Sequence, residues 1–411
     1  MPDAIVLGAG MAGVSTALHL RQRGWQVTVV DRREPGRETS YGNAGLIQAE
    51  AVEPYPMPRN LAALVAIAAR RGNDVHYHPA SLPQHLWPLL QYWWHSAPGR
   101  HRRIAAAYAT LIREACAEHD PFITAAGAGN LVRREGYRML FRDPAALAAA
   151  VADAARLNRD HGVASEALDA AGVMRVEPAL RTGAAGAIHW QGPWSVSDPG
   201  GLVEAYAGLL ARLGGTLLTG DAGTLARAGR GWRVQTADGA VEAEHAVIAL
   251  GPWSGEAMRR LGLRVTMVRK RGYHRHYAPV EPLQLPLMDA ARGYLLVPTT
   301  RGIRITTGAE LARTDAPATP VQLGRAEAAA RELVDLGQPV EAEPWVGTRP
   351  CMPDMLPVLG RADGQPGLWL NFGHGHQGFT LGPATGRLVA EQMNGETPFV
   401  NLAPFAFSRF S

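Results

Sequence analysis

Residues 4–7 are continuously apolar, Gly8-Ala9-Gly10 follows, and from about Met11 to Gln22 the apolar positions recur with helical spacing. A second apolar run, 26–30, ends on Asp31. Largely apolar runs on either side of an amphipathic segment predict a strand–helix–strand unit whose strands are covered on both faces. The run 246–251 has the same character and predicts a late return to that parallel sheet, as does 367–370 near the C-terminus. Helices are expected at 144–159 and 199–213, each opened by an Asp-Pro pair in which the aspartate caps and the proline takes the first turn. Strands are expected at 215–219, 231–236 and 241–243, the last two joined by an Asp238-Gly239 turn. Strand-like patterning from 264 to 307, a helix at 325–336 and a closing helix at 382–393 complete the reading. The stretch 50–129 differs: prolines punctuate helical segments there, and Trp87, Tyr92, Trp93 and Trp94 cluster, which predicts an inserted or peripheral helical region.

At 411 residues and 46% hydrophobic, the chain can bury a large core and divide into two domains. Charged residues are only 19%, Gly (46) and Pro (30) are plentiful, and disordered or fibrous classes fall away. The net charge is +4, with Lys270 the only lysine and arginines scattered along the chain, so no phosphate-tracking stripe points to nucleic acid. Cys116 and Cys351 stand far apart with no neighbouring thiol, which fits a reduced, cytoplasmic protein. No apolar run approaches the roughly 18–20 residues of a membrane span, and the glycines after residue 7 replace a signal-peptide cleavage site.

Gly8-x-Gly10-x-x-Gly13 lies between a strand and a helix, and Asp31 ends the next strand, about 20 residues on. The glycines allow a tight turn and close approach to a pyrophosphate, the helix N-terminus offers unpaired N–H groups, and Asp31 can accept from a ribose hydroxyl. This predicts a dinucleotide site and disfavours a 2′-phosphorylated ligand. FAD is preferred over NAD because a second glycine-rich turn, Gly373-His374-Gly375-His376-Gln377-Gly378, feeds the terminal helix and suits the electron-rich edge of a reduced flavin. Arg349, in Gly347-Thr348-Arg349-Pro350, has the fork geometry to grip a carboxylate, although a surface arginine in a proline-rich loop fits the local sequence equally well.

Along essentially its whole length the chain resembles the FAD-dependent amino acid oxidase and dehydrogenase family, within it the bacterial D-amino acid dehydrogenases. The resemblance is carried by residues 8–13, by Ser40-Tyr41-Gly42-Asn43-Ala44-Gly45, by Val176-Glu177-Pro178-Ala179-Leu180, and by Val268-Arg269-Lys270-Arg271-Gly272-Tyr273. It continues through Gly347-Thr348-Arg349-Pro350 with Pro353-Asp354 and Pro357, Gly373-His374-Gly375 with Gly378, and the ending Ala403-Pro404-Phe405. Gly42, where a small alanine-like residue is expected, and His376-Gln377 depart from the pattern.

The resemblance implies an α/β fold: a glutathione-reductase-like FAD-binding domain from 1–50, 140–262 and 340–411, and an α+β substrate domain with a large mixed sheet from 51–139 and 263–339. It implies Arg349 on the substrate carboxylate and Tyr273 as a second hydroxyl contact. FAD contacts are expected from Gly8, Gly10, Met11, Ala12, Gly13, Asp31, Arg32, Ser40, Asn43, Ala44, Gly45, Gly251, Gly373, His374, Gly375 and Gly378. The implied activity is oxidative deamination of D-amino acids by hydride transfer to the flavin, with electrons passed to a quinone or other acceptor. Alternatives are D-proline or hydroxy-D-proline dehydrogenation, a glycine- or sarcosine-type oxidase, and a flavoprotein used in assembly or RNA modification. His76/His78, His274/His276 and His374/His376 each place two rings on one face of a strand, but no further ligand motif accompanies them and no metal is expected. The Trp87–Trp94 stripe reads either as packing within the protein or as peripheral contact with the cytoplasmic face of the inner membrane.

Overall fold

The computed structural model describes residues 1–70 and 72–410. Its first sheet has eight strands in the order Gly239–Ala243, Gly231–Thr236, Thr216–Ala228, Gln26–Asp31, Asp3–Leu7, His245–Ile248, Leu368–Phe372 and Val358–Arg361. The five from Thr216–Ala228 to Leu368–Phe372 run parallel. Ile5, Val6 and Leu7 are buried, as expected of a strand covered on both faces.

Helix Met11–Gln22 lies against the terminal helix Gly378–Met393, and two glycines permit the close crossing. A Cβ on Gly382 would fall 2.5 Å from Met11 Cγ, and one on Gly386 would fall 2.8 Å from the Thr16 nitrogen. Thr16 Oγ1 also accepts from Asn371 Nδ2 at 2.8 Å. This packing carries the C-terminal turn to the side of the N-terminal glycine turn. The terminal helix begins at Gly378 rather than 382, running through Gly382 and Pro383 because burial outweighs their poor propensity.

The second sheet has eleven strands. Val268–Ala278 is its hub, pairing with Gly302–Thr306, Ala309–Leu311, Gln338–Pro339 and Trp345–Cys351. Helix Val321–Leu333, four residues N-terminal of its expected start, covers one face through Leu323, Ala326 and Ala330, in a core with Tyr273 and Tyr277. Strands Tyr137–Phe141, Ser165–Asp169 and Gly186–Trp190 belong to this sheet, and so does Trp345–Cys351. Pairing therefore departs from the expected segment boundaries: strands in 140–190 and 345–351 are tied to the sheet expected from 263–339, by hydrogen bonds between residues far apart in sequence.

Asp143 and Asp198 cap their helices as predicted, accepting from Ala146 N at 2.8 Å and Gly201 N at 2.9 Å. Those helices run Pro144–His161 and Pro199–Arg212. The proline-rich region divides into two parts. Helices Pro98–Ile112 and Ala115–Ala126 are core elements that bury Tyr108, Leu111, Ile112 and Phe122, whereas Leu61–Ala68 buries no side chain and Leu82–His95 buries only His85. No described helix is long and apolar enough to cross a membrane.

Candidate active site

The first glycine turn is shaped by backbone contacts. Gly8 adopts φ +108°, and a Cβ there would lie 2.4 Å from the Ala249 carbonyl oxygen; on Gly13 it would lie 1.9 Å from the Gly8 oxygen. Gly10 is extended and ends the turn in front of the helix, whose first turn holds no acidic side chain to repel an anion. Asp31 Oδ2 accepts from Ala9 N at 2.7 Å, which pins the turn to the end of the second strand. Ser40 Oγ accepts from Met11 N at 3.0 Å, so Ser40 stands at the helix N-terminus. Arg32 pairs with Glu38 at 2.7 Å and lies 4.2 Å above the Trp253 ring.

From this turn a cavity of about 410 Å³ runs between the two sheets to Arg349 and the C-terminal turn. It is bordered by Gly8, Gly10, Met11, Ala12, Asp31, Arg32, Ser40, Asn43, Ala44, Gly251, His374, Gly375 and Gly378. Three predicted cofactor contacts, Gly13, Gly45 and Gly373, do not border it. A Cβ on Gly45 (φ +79°) would meet the Val196 oxygen at 2.4 Å, and one on Gly373 (φ +85°) would meet Met352 Cγ at 2.8 Å. The glycine turn, the undefended helix N-terminus, Asp31 and the elongated cavity together fit a dinucleotide whose far end reaches the C-terminal turn.

Arg349 comes from the strand opposite Val268–Ala278, in direct register with Lys270. Its Nη1 and Nη2 donate to the Gly308 and Thr307 carbonyls, both at 3.0 Å. Gly272 makes room for it: a Cβ there would sit 2.6 Å from Nη2. Burial draws its pKa down from the usual guanidinium value, yet it remains a cation at neutral pH. No carboxylate pairs with it among the described residues.

Tyr273 is corrected. It borders the cavity, but alternation along the strand turns its side chain to the face opposite Lys270 and Gly272. There its hydroxyl donates to Glu310 Oε2 at 2.7 Å and accepts from Thr319 N at 2.9 Å. Tyr273→Phe is therefore expected to change kcat/KM by less than about twofold while lowering stability by about 1–3 kcal/mol, because buried Glu310 loses a donor. Thermal denaturation beside steady-state kinetics checks this; a large kinetic loss at unchanged Tm contradicts it.

Sequence reading missed two residues around the cavity. Trp345 stacks on His274 with ring centroids 4.8 Å apart and planes 12° apart, and its ring fills the space beside Gly42 and Gly347, where a Cβ would fall within 1.8 Å of it. Arg304, buried between Ile303 and Ile305, donates through Nη1 to the Asn43 carbonyl at 2.6 Å and to that of Tyr41 at 3.1 Å. Its Nε donates to His276 Nε2 at 2.9 Å, and His276 Nδ1 donates to Glu341 at 2.6 Å. A charged residue flanked by isoleucines in a strand was the available signal for Arg304. This relay fixes the 41–43 turn that borders the cavity, and burial with the Arg304 charge holds His276 neutral, at a pKa of about 4.

His374 is buried against Thr385 Oγ1 (3.1 Å), while His376 is exposed and borders the cavity. Burial lowers both to about 4, aided at His376 by Arg349 and Lys270, so both are neutral at pH 7. His76 and His78 lie near Glu310, whose oxygens already accept from Tyr273 and Thr319.

Beside the cavity, Gln377 Nε2 donates to Gln48 Oε1 (2.9 Å) and Gln48 Nε2 donates to Glu50 (2.8 Å). Burial raises the Glu50 carboxyl to about 7. An unfolded glutamate loses its proton near its ordinary value of 4.5, whereas folded Glu50 keeps it to about 7, so this group removes stability as pH rises across that window. Glu50→Gln is expected to raise Tm by a few °C at pH 8 and to have little effect at pH 4; the reverse order in thermal scans contradicts the assignment.

Comparison with known proteins agrees with this architecture. The family described as FAD dependent oxidoreductase (DAO) matches residues 3–392. A D-amino acid dehydrogenase of Cereibacter sphaeroides (strain ATCC 17029 / ATH 2.4.9) is 31% identical, the match covering 99% of this chain and 95% of that protein. A glycine oxidase of Pseudomonas putida is 29% identical, with 98% of each chain covered. The crystal structure of glycine oxidase from Geobacillus kaustophilus shares the fold, with a TM-score of 0.77 at 21% identity, over 100% of this chain and 99% of that one. With the family matched over nearly all of its length and a cavity shaped for a dinucleotide, the chain belongs to the FAD dependent oxidoreductase family and is an FAD-binding oxidoreductase.

Proposed function

We propose that this enzyme dehydrogenates D-amino acids and passes the electrons to a quinone or similar acceptor. The observation that carries the proposal is Arg349: a guanidinium with no carboxylate partner among the described residues, held by two carbonyls in the wall of the dinucleotide cavity and close to the C-terminal turn. Such a fork is complementary to a substrate carboxylate. Bound FAD supplies a two-electron acceptor for the hydrogen leaving Cα. The chain's own residues position and stabilise. Arg349 fixes the carboxylate, Gly272 leaves the guanidinium its place, and the N-terminus of Gly378–Met393 favours negative charge arriving nearby. As the α hydrogen departs with its electron pair, the nitrogen lone pair forms the C=N bond. A neutral amine therefore needs no side-chain base. Water then converts the imino acid to a 2-oxo acid and ammonia; from D-proline the product is a cyclic imine that retains its nitrogen.

The preference for D-amino acids follows the dehydrogenase relatives. The quinone finds support in an exposed apolar surface: Leu61 and Val65 on one helix, and Leu86, Trp87, Leu90 and Trp94 on another. Arg59 lies 3.8 Å over Trp93 and Arg100 lies 3.5 Å over Trp94, a pattern suited to peripheral contact with an anionic membrane surface. The glycine oxidase relative supports a second reading, oxidation of glycine-type amines with oxygen as acceptor. Product assays separate the two. One 2-oxo acid and one ammonia per D-amino acid, formed with a quinone analogue and without peroxide, support the dehydrogenase; stoichiometric peroxide from glycine or sarcosine supports the oxidase.

A further inference from the structure

We infer that Lys270 holds a second anionic group of the substrate, so that the preferred substrates are amino acids with a side-chain carboxylate. This rests on the amino acid oxidation proposed above and adds to it the substrate class. Lys270 and Arg349 are direct partners across antiparallel strands, so both side chains leave the same face of the sheet. Like charges placed opposite one another oppose folding unless something negative comes between them. The flanking arginines of the same strand are provided for: Arg269 reaches Glu256 at 3.4 Å, and Arg271 lies 3.6 Å from Glu310. Lys270 has no such partner among the described residues. Its ammonium lies 4.8 Å from the centroid of the Tyr92 ring, a contact that leaves the charge unneutralised.

Lys270 shares its sheet face with Gly272 and Arg349, both of which border the cavity. The Tyr92 hydroxyl donates to the Tyr55 carbonyl at 2.6 Å, and the Tyr55 ring is 5.4 Å from that of His376, which borders the cavity. Lys270 and Arg349 both bear on His376 and help keep it neutral, so His376 adds no charge of its own. The two cations suit different groups. The arginine fork matches the α-carboxylate bidentately, while the lysine is a compact charge on a flexible stem that can follow a carboxylate at the end of a short side chain.

The test uses the flavin-loaded protein and two measurements. Calorimetric titration compares glutarate with its monoamide, glutaramate, and steady-state kinetics compares D-glutamate with D-glutamine. The wild type is expected to favour the dicarboxylate by about tenfold in Kd and in kcat/KM. Lys270→Met should bring both ratios close to one at unchanged flavin content, and Lys270→Arg should keep most of the preference. Equal binding of glutarate and glutaramate by the wild type overturns the inference, as does a preference that Lys270→Met leaves intact. If no amino acid reduces the flavin, amino acid oxidation fails, and the calorimetric ratio still decides whether Lys270 holds an anion.

Discussion

Replacing Arg349 by lysine is expected to lower kcat/KM by about 10²–10³-fold in a protein that remains yellow and folded. The guanidinium is braced from behind by the Thr307 and Gly308 carbonyls, which fix its plane and leave its remaining N–H groups free. A lysine ammonium can satisfy at most part of that arrangement, and it presents a point charge where a carboxylate needs two parallel donors. The loss should fall on substrate and transition state together, appearing first in KM. Competitive inhibition by simple carboxylates should weaken with it, because the same fork binds them. Flavin content and Tm should stay near wild type, since Arg349 makes no ion pair among the described residues. Unchanged kinetics would remove Arg349 from the substrate site.

Gly10→Val is expected to give a folded protein that purifies with little or no flavin. Gly10 is extended at φ −80°, a conformation open to any residue, and the nearest atom to a Cβ there is Ser40 Oγ at 3.3 Å. The fold can therefore accept the side chain, but the cavity in front of the helix N-terminus cannot. Gly13→Ala should behave differently. Its Cβ would be driven to 1.9 Å from the Gly8 carbonyl, forcing the helix off the strand and lowering stability as well as flavin content. Flavin absorbance per chain and thermal denaturation, measured on both variants, separate a blocked site from a displaced helix. Normal flavin content in Gly10→Val would contradict the assigned turn.

What could be read from the sequence was local. The glycine turn, Asp31 at the end of the next strand, and the Asp143 and Asp198 caps each depend on residues near one another along the chain. The second sheet depends on pairings such as Met139 with Met288 and Lys270 with Arg349, which no local pattern announces. That is why local pattern does not tie the strands Ser165–Asp169 and Gly186–Trp190 to this sheet. Tyr273 failed for a related reason. Val268–Ala278 is largely buried on both faces, so its composition carries no alternation to show which side chains meet the cavity and which meet helix Val321–Leu333. Gly272 next to it belongs to the site because of what it lacks. Trp345, far from every motif, reaches His274 and Gly42 only because strand pairing brings it there.

The central claim is oxidation of a carboxylate-anchored amine in this cavity. Its most direct test is an anaerobic titration of the flavin-loaded enzyme with D- and L-amino acids, glycine, sarcosine and D-proline, followed by a quinone analogue or oxygen. D-amino acids are expected to bleach the visible flavin absorbance, their L-enantiomers to leave it unchanged, and the quinone analogue to restore it faster than oxygen. A bound flavin that none of these compounds reduces would contradict the claim.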